Sequence, residues 1–239
     1  MLEKPMLREA YEREGYVVFR GIVPSECIDD LLAKFLSLTN KLSGSTYCGA
    51  HDPALSSRLF DDHVLQSTVY DAVRKPEWLV KFSKTPSLVA AVRSLAGGQI
   101  GLFSKIPFRI DVPREIKELA VWHQDHFYVK GNTSIVTAWI PMQDTNYLNG
   151  CLSVMPGSHK LGPVEHDVTV LAKRHFPSAH LDREIRLVEM KKGDVLLAHS
   201  CLLHSGNINL SDAPRYSVQA RYTLLGEQTD PSMGEVIPL

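Results

Sequence analysis

The chain has 239 residues, 44% of them hydrophobic, and a formal net charge of −1, which is enough for one sizeable core and predicts a single domain over residues 1–239. The near-neutral balance, with no basic run interleaved with aromatics, excludes a broad nucleic-acid footprint. No stretch approaches the roughly 18 consecutive apolar residues of a membrane span, and Met1–Pro5 lacks the apolar core of a secretory signal, so the expectation is a soluble, cytoplasmic protein.

In chain order, Leu7–Glu14 reads as a short helix and Tyr16–Arg20 as β-rich. Pro24-Ser25 opens a helix whose Ile28, Leu31, Leu32, Phe35 and Leu36 recur at 3/4 spacing, the mark of a face turned to the core. A second helical region is predicted from Pro76 to Leu95, stopped by Gly97-Gly98. From Gln99 onwards the character changes. Ile100–Ile106, Val121–Val129, Ile135–Ile140, Leu152–Met155, Ile185–Met190, Val195–Cys201 and Tyr216–Leu224 alternate with Gly, Pro and Asn turns, as in an antiparallel β domain. The expected fold is mainly β, a double-stranded β-helix (a jelly roll, cupin-like) with supporting N-terminal helices. Cys27, Cys48, Cys151 and Cys201 are scattered, with no Cys-x-x-Cys, and fit reduced thiols rather than a disulfide framework or zinc ribbon.

The chemistry concentrates on His123-Gln124-Asp125. On a strand, residues i and i+2 share a face, so His123 and Asp125 would point together with Gln124 turned away. A distant histidine can complete a facial triad, in which two imidazoles and a carboxylate hold a divalent iron and leave its other side open. His199 and His204 compete for that place, and their separation of five puts them on opposite faces of an unbroken strand, so only one can serve. Arg215 follows His204 by 11 residues. A planar, permanently charged guanidinium near such a metal is a natural receptor for a dicarboxylate such as 2-oxoglutarate. Ser217, Gln219 and Arg221 share its face of the strand, and Ser217 could assist the same carboxylate.

One His-x-Asp is weak, but the ordered series around it is specific. Trp122-His123-Gln124-Asp125, Ala138-Trp139-Ile140-Pro141, Asn149-Gly150-Cys151-Leu152, Pro156-Gly157-Ser158-His159-Lys160, Gly193-Asp194-Val195 and His204…Asn209…Arg215 resemble the phytanoyl-CoA dioxygenase family of iron(II)/2-oxoglutarate oxygenases. Glu14-Gly15-Tyr16-Val17-Val18 and Gly21-Ile22-Val23-Pro24 are similar to that family's opening segment. The likeness is weakest across residues 40–75 and 160–185, where substrate-specific loops are expected.

The resemblance implies Fe(II), 2-oxoglutarate and dioxygen as reactants at a site where His123, Asp125 and His204 are metal ligands and His199 is a packed residue. It implies that Arg215 pairs with the distal carboxylate of 2-oxoglutarate, that Trp139 walls the pocket and that Lys105 is a weaker contact. The outcome implied is hydroxylation of a small molecule with release of succinate and carbon dioxide, because Asp125 stands where related halogenases carry a small residue. Desaturation, epimerisation or cyclisation use the same ligands, and a cupin-like metal protein or a small-molecule sensor would dispense with 2-oxoglutarate turnover. His126, Tyr128 and Asn132 lie within substrate reach, and the Pro156–Lys160 segment is expected to shape the rim. Arg109 or Arg221 facing the open metal position would mean an anionic substrate. A monomer or homodimer is expected, with neither nucleic acid nor membrane as a partner.

Overall fold

From Gln99 onwards the apolar pattern has period two, and the strands it forms are covered on both faces. A computed structural model of the chain describes residues 4–73, 77–116, 119–167, 176–177 and 183–239. Helix α1 (Lys4–Glu14) leads directly into strand β1 (Tyr16–Phe19), and helices α2 (Ser25–Ser43), α3 (Pro53–Asp61), α4 (His63–Val73), α5 (Glu77–Ser83) and α6 (Pro86–Ala96) follow. The region expected as one helix up to Leu95 is two, because Pro86 cannot donate to the preceding turn and so starts a new helix; Pro76, its expected start, lies outside the described residues. Helices α3 and α4 were not foreseen, although Asp52 accepts from the Ala54 amide and Pro53 follows, a recognisable helix start.

The strands are β2 (Ile100–Phe103), β3 (Phe108–Asp111), β4 (His123–Gln124), β5 (Val136–Pro141), β6 (Leu152–Val154), β7 (His166–Asp167), β8 (Phe176–Pro177), β9 (Arg186–Val188), β10 (Val195–His199), β11 (Leu203–Ser205), β12 (Arg215–Leu224) and β13 (Val236–Pro238), with a short helix α7 (Asp125–Val129) after β4. They form a seven-stranded sheet ordered β1-β10-β5-β12-β2-β13, with β3 also on β12, and a four-stranded sheet ordered β4-β11-β6-β9; β7 and β8 pair separately. These strand pairs are antiparallel. The architecture is the expected double-stranded β-helix, two facing sheets rather than a closed barrel.

Alternation assigns the large sheet's two faces. Val195, Leu197, Ala138, Ile140, Tyr216, Val218, Ala220 and Tyr222 join the helices' Ile28, Leu31, Phe35, Leu55, Leu59, Val69 and Leu88 in one core. Phe35 lies 5.3 Å from Phe108 and 4.9 Å from Tyr216 between ring centroids. Each such side chain contributes about 1.5–3 kcal/mol on burial, and the tyrosines keep their hydroxyls satisfied, Tyr222 donating to the Ser83 carbonyl at 2.7 Å and Tyr70 to that of Ile110 at 2.6 Å. Trp139, Leu196 and Ala198 point the other way, towards Leu152 and Val154 of the small sheet. Among the described residues no helix is long and apolar enough to cross a membrane.

Candidate metal centre

The site is assembled where the small sheet's shortest strand meets α7. In the antiparallel β4–β11 pair His123 lies directly opposite His204, which puts both side chains on one face with ring centroids 4.2 Å apart. Asp125 joins them, and one ligand atom from each of the three lies within 4.8 Å of the others; among the described residues this is the one group of His, Cys, Asp or Glu with that property. The route differs from the expected strand geometry. Asp125 is the first residue of α7 rather than the third of a strand, so a backbone turn, not i/i+2 alternation, brings its carboxylate beside His123. An acidic residue suits a helix's first turn, where backbone amides lack partners. Gln124 does face away. Its amide donates to the carbonyls of Gly162 (2.9 Å) and Cys201 (2.7 Å) and accepts from the Val164 amide (2.9 Å), and its own N–H reaches His166 Nε2 at 3.0 Å.

Both imidazoles are prepared as ligands. His123 Nδ1 is 2.6 Å from the Val121 carbonyl and His204 Nδ1 is 3.0 Å from that of Leu202. A carbonyl can only accept, so each Nδ1 carries the proton and each Nε2 lone pair is left for a metal. Burial lowers the His123 pKa to about 3, helped by His204, so the ring is neutral at physiological pH. Burial by itself would raise Asp125, but the charge of Arg221, with smaller shares from the two histidines, holds it well below the usual carboxylate range. Arg221 donates through NH2 to Asp125 Oδ1 at 2.9 Å, and both side chains are buried. Two imidazole nitrogens and one ionised oxygen converge here, a donor set that fits a divalent iron of the facial-triad kind.

The cavity beside these ligands is narrow and lies between the sheets, lined by His123, His204, Leu152 and Val154 from one and Thr137, Trp139, Leu196, Ala198 and Gln219 from the other. Trp139 is thus in the wall, as expected. Behind it Arg215 is almost fully buried, its guanidinium carbon 5.4 Å from the indole centroid. Arg215 donates through NH1 to Ser217 Oγ at 3.3 Å, and its NH2 lies 2.8 Å from Asp111 Oδ2. Burial pulls its pKa down, opposed by Asp111. Its Nε–H is buried without an acceptor, a vacant donor that suits a carboxylate. Lys105 is not brought to the site; it is absent from the lining, and its exposed ammonium donates to the Ser232 carbonyl at 2.6 Å. It follows a strand that ends at Phe103, so the chain has left the cavity before reaching it.

The two candidate histidines prove to be on different sheets. His199 ends β10 and His204 lies in β11, so the assumption of an unbroken strand does not hold. His199 Nδ1 accepts from the Cys201 amide at 3.0 Å, and its ring packs 5.2 Å from His159 and 6.3 Å from Tyr11. Of the Pro156–Lys160 segment, Ser158 does more than shape a rim: it is fully buried and its Oγ accepts from Leu203 N at 2.9 Å, fastening the strand that bears His204. Tyr128 is half-exposed and stands edge-on to His123 at 5.3 Å, whereas Asn132 is used structurally, donating to Thr223 Oγ1 and the Gln228 carbonyl. Arg109 lies 3.3 Å from Asp111 Oδ1. Sequence reasoning missed Asp111 and the partner of Arg221. Phe108-Arg109-Ile110-Asp111 carries the alternation of a strand, a signal available in the sequence; the pairing of Arg221 with Asp125 depends on a contact 96 residues apart.

The profile of the phytanoyl-CoA dioxygenase (PhyH) family matches residues 11–217. The 1-deoxypentalenic acid 11-beta-hydroxylase of Streptomyces arenae is 28% identical over 229 residues, covering 89% of this chain and 77% of its own length. The peroxisomal phytanoyl-CoA dioxygenase of Rattus norvegicus is 26% identical over 231 residues, covering 90% and 67%. Among solved structures, the epimerase SnoN in complex with Fe3+, alpha ketoglutarate and nogalamycin RO aligns with a TM-score of 0.67 at 21% identity, over 97% of this chain and 87% of that one. The non-heme monooxygenase ThoJ aligns with a TM-score of 0.72 at 20% identity, over 97% and 82%. At these identities the structural likenesses establish the fold.

Proposed function

Because the chain belongs to the phytanoyl-CoA dioxygenase family, we propose that it is a non-haem Fe(II)- and 2-oxoglutarate-dependent dioxygenase that hydroxylates an unactivated C–H bond of a small molecule. The observation that carries this reading is the buried convergence of His123, Asp125 and His204 with both Nε2 lone pairs unblocked. Iron bound there, with 2-oxoglutarate and dioxygen, supplies the oxidising power: one oxygen atom goes to the C–H carbon, the other to succinate, and carbon dioxide leaves.

The chain's own residues bind, orient and exclude water. Arg215 takes the distal carboxylate through its vacant Nε–H and the adjoining amino group, with Ser217 and Asp111 holding the guanidinium against Trp139. Leu152, Val154, Leu196 and Leu202 give the wall an apolar stretch, which limits the water competing for the reacting centre. Tyr128 stands exposed beside His123 and is the residue a substrate meets on its way in. Arg221 and Arg109 both lie against carboxylates, so their charges give no ground for an anionic substrate. Hydroxylation is favoured over other oxidative outcomes by the name of the Streptomyces arenae relative; the SnoN neighbour, an epimerase, marks the outcome to test against it.

The test is anaerobic reconstitution with Fe(II) and 2-oxoglutarate, followed by air and a panel of terpenoid acids, acyl thioesters and other small molecules. Stoichiometric succinate and a product heavier by one oxygen atom are expected. Absence of iron-dependent succinate, with or without substrate, would refute the proposal, and a product of unchanged mass with altered stereochemistry would replace hydroxylation by epimerisation.

A further inference from the structure

Asp125 has two oxygens, and one of them is already engaged by an arginine. Arg221 NH2 donates to Oδ1 at 2.9 Å, with the arginine side chain 9% and the aspartate side chain 5% exposed. We propose that Arg221 is a positioning residue for the metal: by occupying Oδ1 it restricts Asp125 to ligation through Oδ2 alone and so preserves the open positions that the reaction needs. The inference rests on the reading of His123, Asp125 and His204 as the metal ligands.

The argument is one of counting donors. A carboxylate can bind a metal through one oxygen or both. A facial triad with one donor per residue leaves about three places on a six-coordinate ion, enough for a chelating keto acid and dioxygen together. A chelating aspartate would leave about two, and the keto acid alone would fill them. A charge-assisted hydrogen bond in a buried pair is strong, and here it is held from both sides. Asp125 sits at the first residue of α7, whose His126 amide bonds the Ser200 carbonyl at 2.9 Å. Arg221 is fixed by β12, where it lies opposite Thr137 of β5. The backbone of each partner is thus fixed, and both side chains are buried where they meet. The same bond neutralises a carboxylate that would otherwise be buried beside two uncharged rings, so the ligand set keeps its shape before metal arrives.

The experiment uses Mn(II) as the probe, in the wild type and in Arg221→Met, which fills a similar volume without a donor. Water-proton relaxation or Mn(II) electron paramagnetic resonance in 17O-water counts the exchangeable waters on the bound ion. The wild type should show about three and Arg221→Met one fewer, with Arg221→Lys restoring the count. In steady state the Met variant should lose at least tenfold in kcat/KM for dioxygen while its Kd for 2-oxoglutarate, measured on the Mn(II) form, stays within about threefold. If Arg221→Met does not fold, Arg221→Leu, also without a donor, carries the same measurements. A folded, Mn(II)-loaded variant with the wild-type water count overturns the inference. Failure of the wild type to bind Mn(II), or binding undiminished in Asp125→Ala, would instead overturn the reading of the ligand triad.

Discussion

Replacing Arg215 with Leu separates the co-substrate role proposed for this side chain from the part it plays in the fold. Arg215 is 3% exposed and its partner Asp111 12%, so the loss is not softened by solvent. For the co-substrate, the variant forfeits a charge-assisted contact to a carboxylate in a largely desolvated pocket, about 2–5 kcal/mol. At about 1.4 kcal/mol per factor of ten, affinity for 2-oxoglutarate should fall at least thirtyfold. For the fold, Asp111 loses its nearer partner and keeps Arg109 at 3.3 Å, so the cost should stay below the roughly 3–5 kcal/mol of a fully orphaned buried charge. A destabilisation of about 1–3 kcal/mol would lower Tm by several degrees for a chain of this size. Adding Asp111→Asn removes the stranded charge, and the double variant should regain stability without regaining affinity. Arg215→Lys should recover only part of the affinity, since an ammonium keeps the charge but not the fork. Calorimetric titration of 2-oxoglutarate into the Ni(II)-loaded proteins, beside thermal melts, reads both quantities. Unchanged 2-oxoglutarate affinity in Arg215→Leu would refute the reasoning and move the carboxylate to another cation, Arg109 being the nearest candidate.

His123→Ala, Asp125→Ala and His204→Ala should each abolish stoichiometric Fe(II) binding, measured anaerobically, while His199→Ala retains it; the reverse result for His204 and His199 would reassign the third ligand. Burial lowers the His199 pKa to about 4, so between pH 6.5 and about 4 the unfolded chain takes up a proton there that the native state refuses, and stability is lost as pH falls through that window. His199→Gln should therefore blunt the acid loss of the apo-protein's unfolding free energy, taken from urea melts, by on the order of 2–3 kcal/mol, and identical acid profiles for variant and wild type would sink this assignment. Gln124→Leu strands the carbonyls of Gly162 and Cys201 and the amide of Val164, at about 1–3 kcal/mol for each buried group; a melt lowered by less than about 5 °C would show that the tie is dispensable.

What could be read from the sequence follows the range of the interactions involved. The α2 stripe was legible because Ile28, Leu31 and Phe35 repeat within a single element, and all three are buried. β5, β10 and β12 were legible for the same local reason. The end of the Val121–Val129 run was not. Its apolar and aromatic residues fit a strand, yet the chain turns into α7 at Asp125, and the His126 amide finds its acceptor at Ser200, 74 residues away. Across residues 53–73 the one local signal is the helix start at Asp52-Pro53, where the Asp52 side chain accepts from the Ala54 amide. The site divides similarly. His123, Asp125, His204, Trp139 and Arg215 were named from motif and spacing, but the partners of Arg215 and Arg221 come from β3 and α7, and spacing along one segment carries no information about either.

Strand β12 explains why these long-range pairs are nonetheless reproducibly made. Arg215, Ser217 and Arg221 share the strand face of Gln219, which lines the cavity, while Tyr216, Val218, Ala220 and Tyr222 pack into the helical core. Its register is set on β5 from Ser217 opposite Pro141 to Tyr222 opposite Val136, and on β3 from Arg215 opposite Asp111 to Val218 opposite Phe108. A slip of one residue would turn two arginines into an apolar core and two fully buried tyrosines towards the metal cavity, so wrong registers are heavily penalised. With the register fixed, the two arginines stand six positions apart on one face, about 20 Å at roughly 3.3 Å per residue. One end of the strand then meets Asp111 and the other meets Asp125. Hydrophobic burial on the outer face therefore positions, on the inner face, both the arginine proposed for the co-substrate and the arginine that pairs with Asp125.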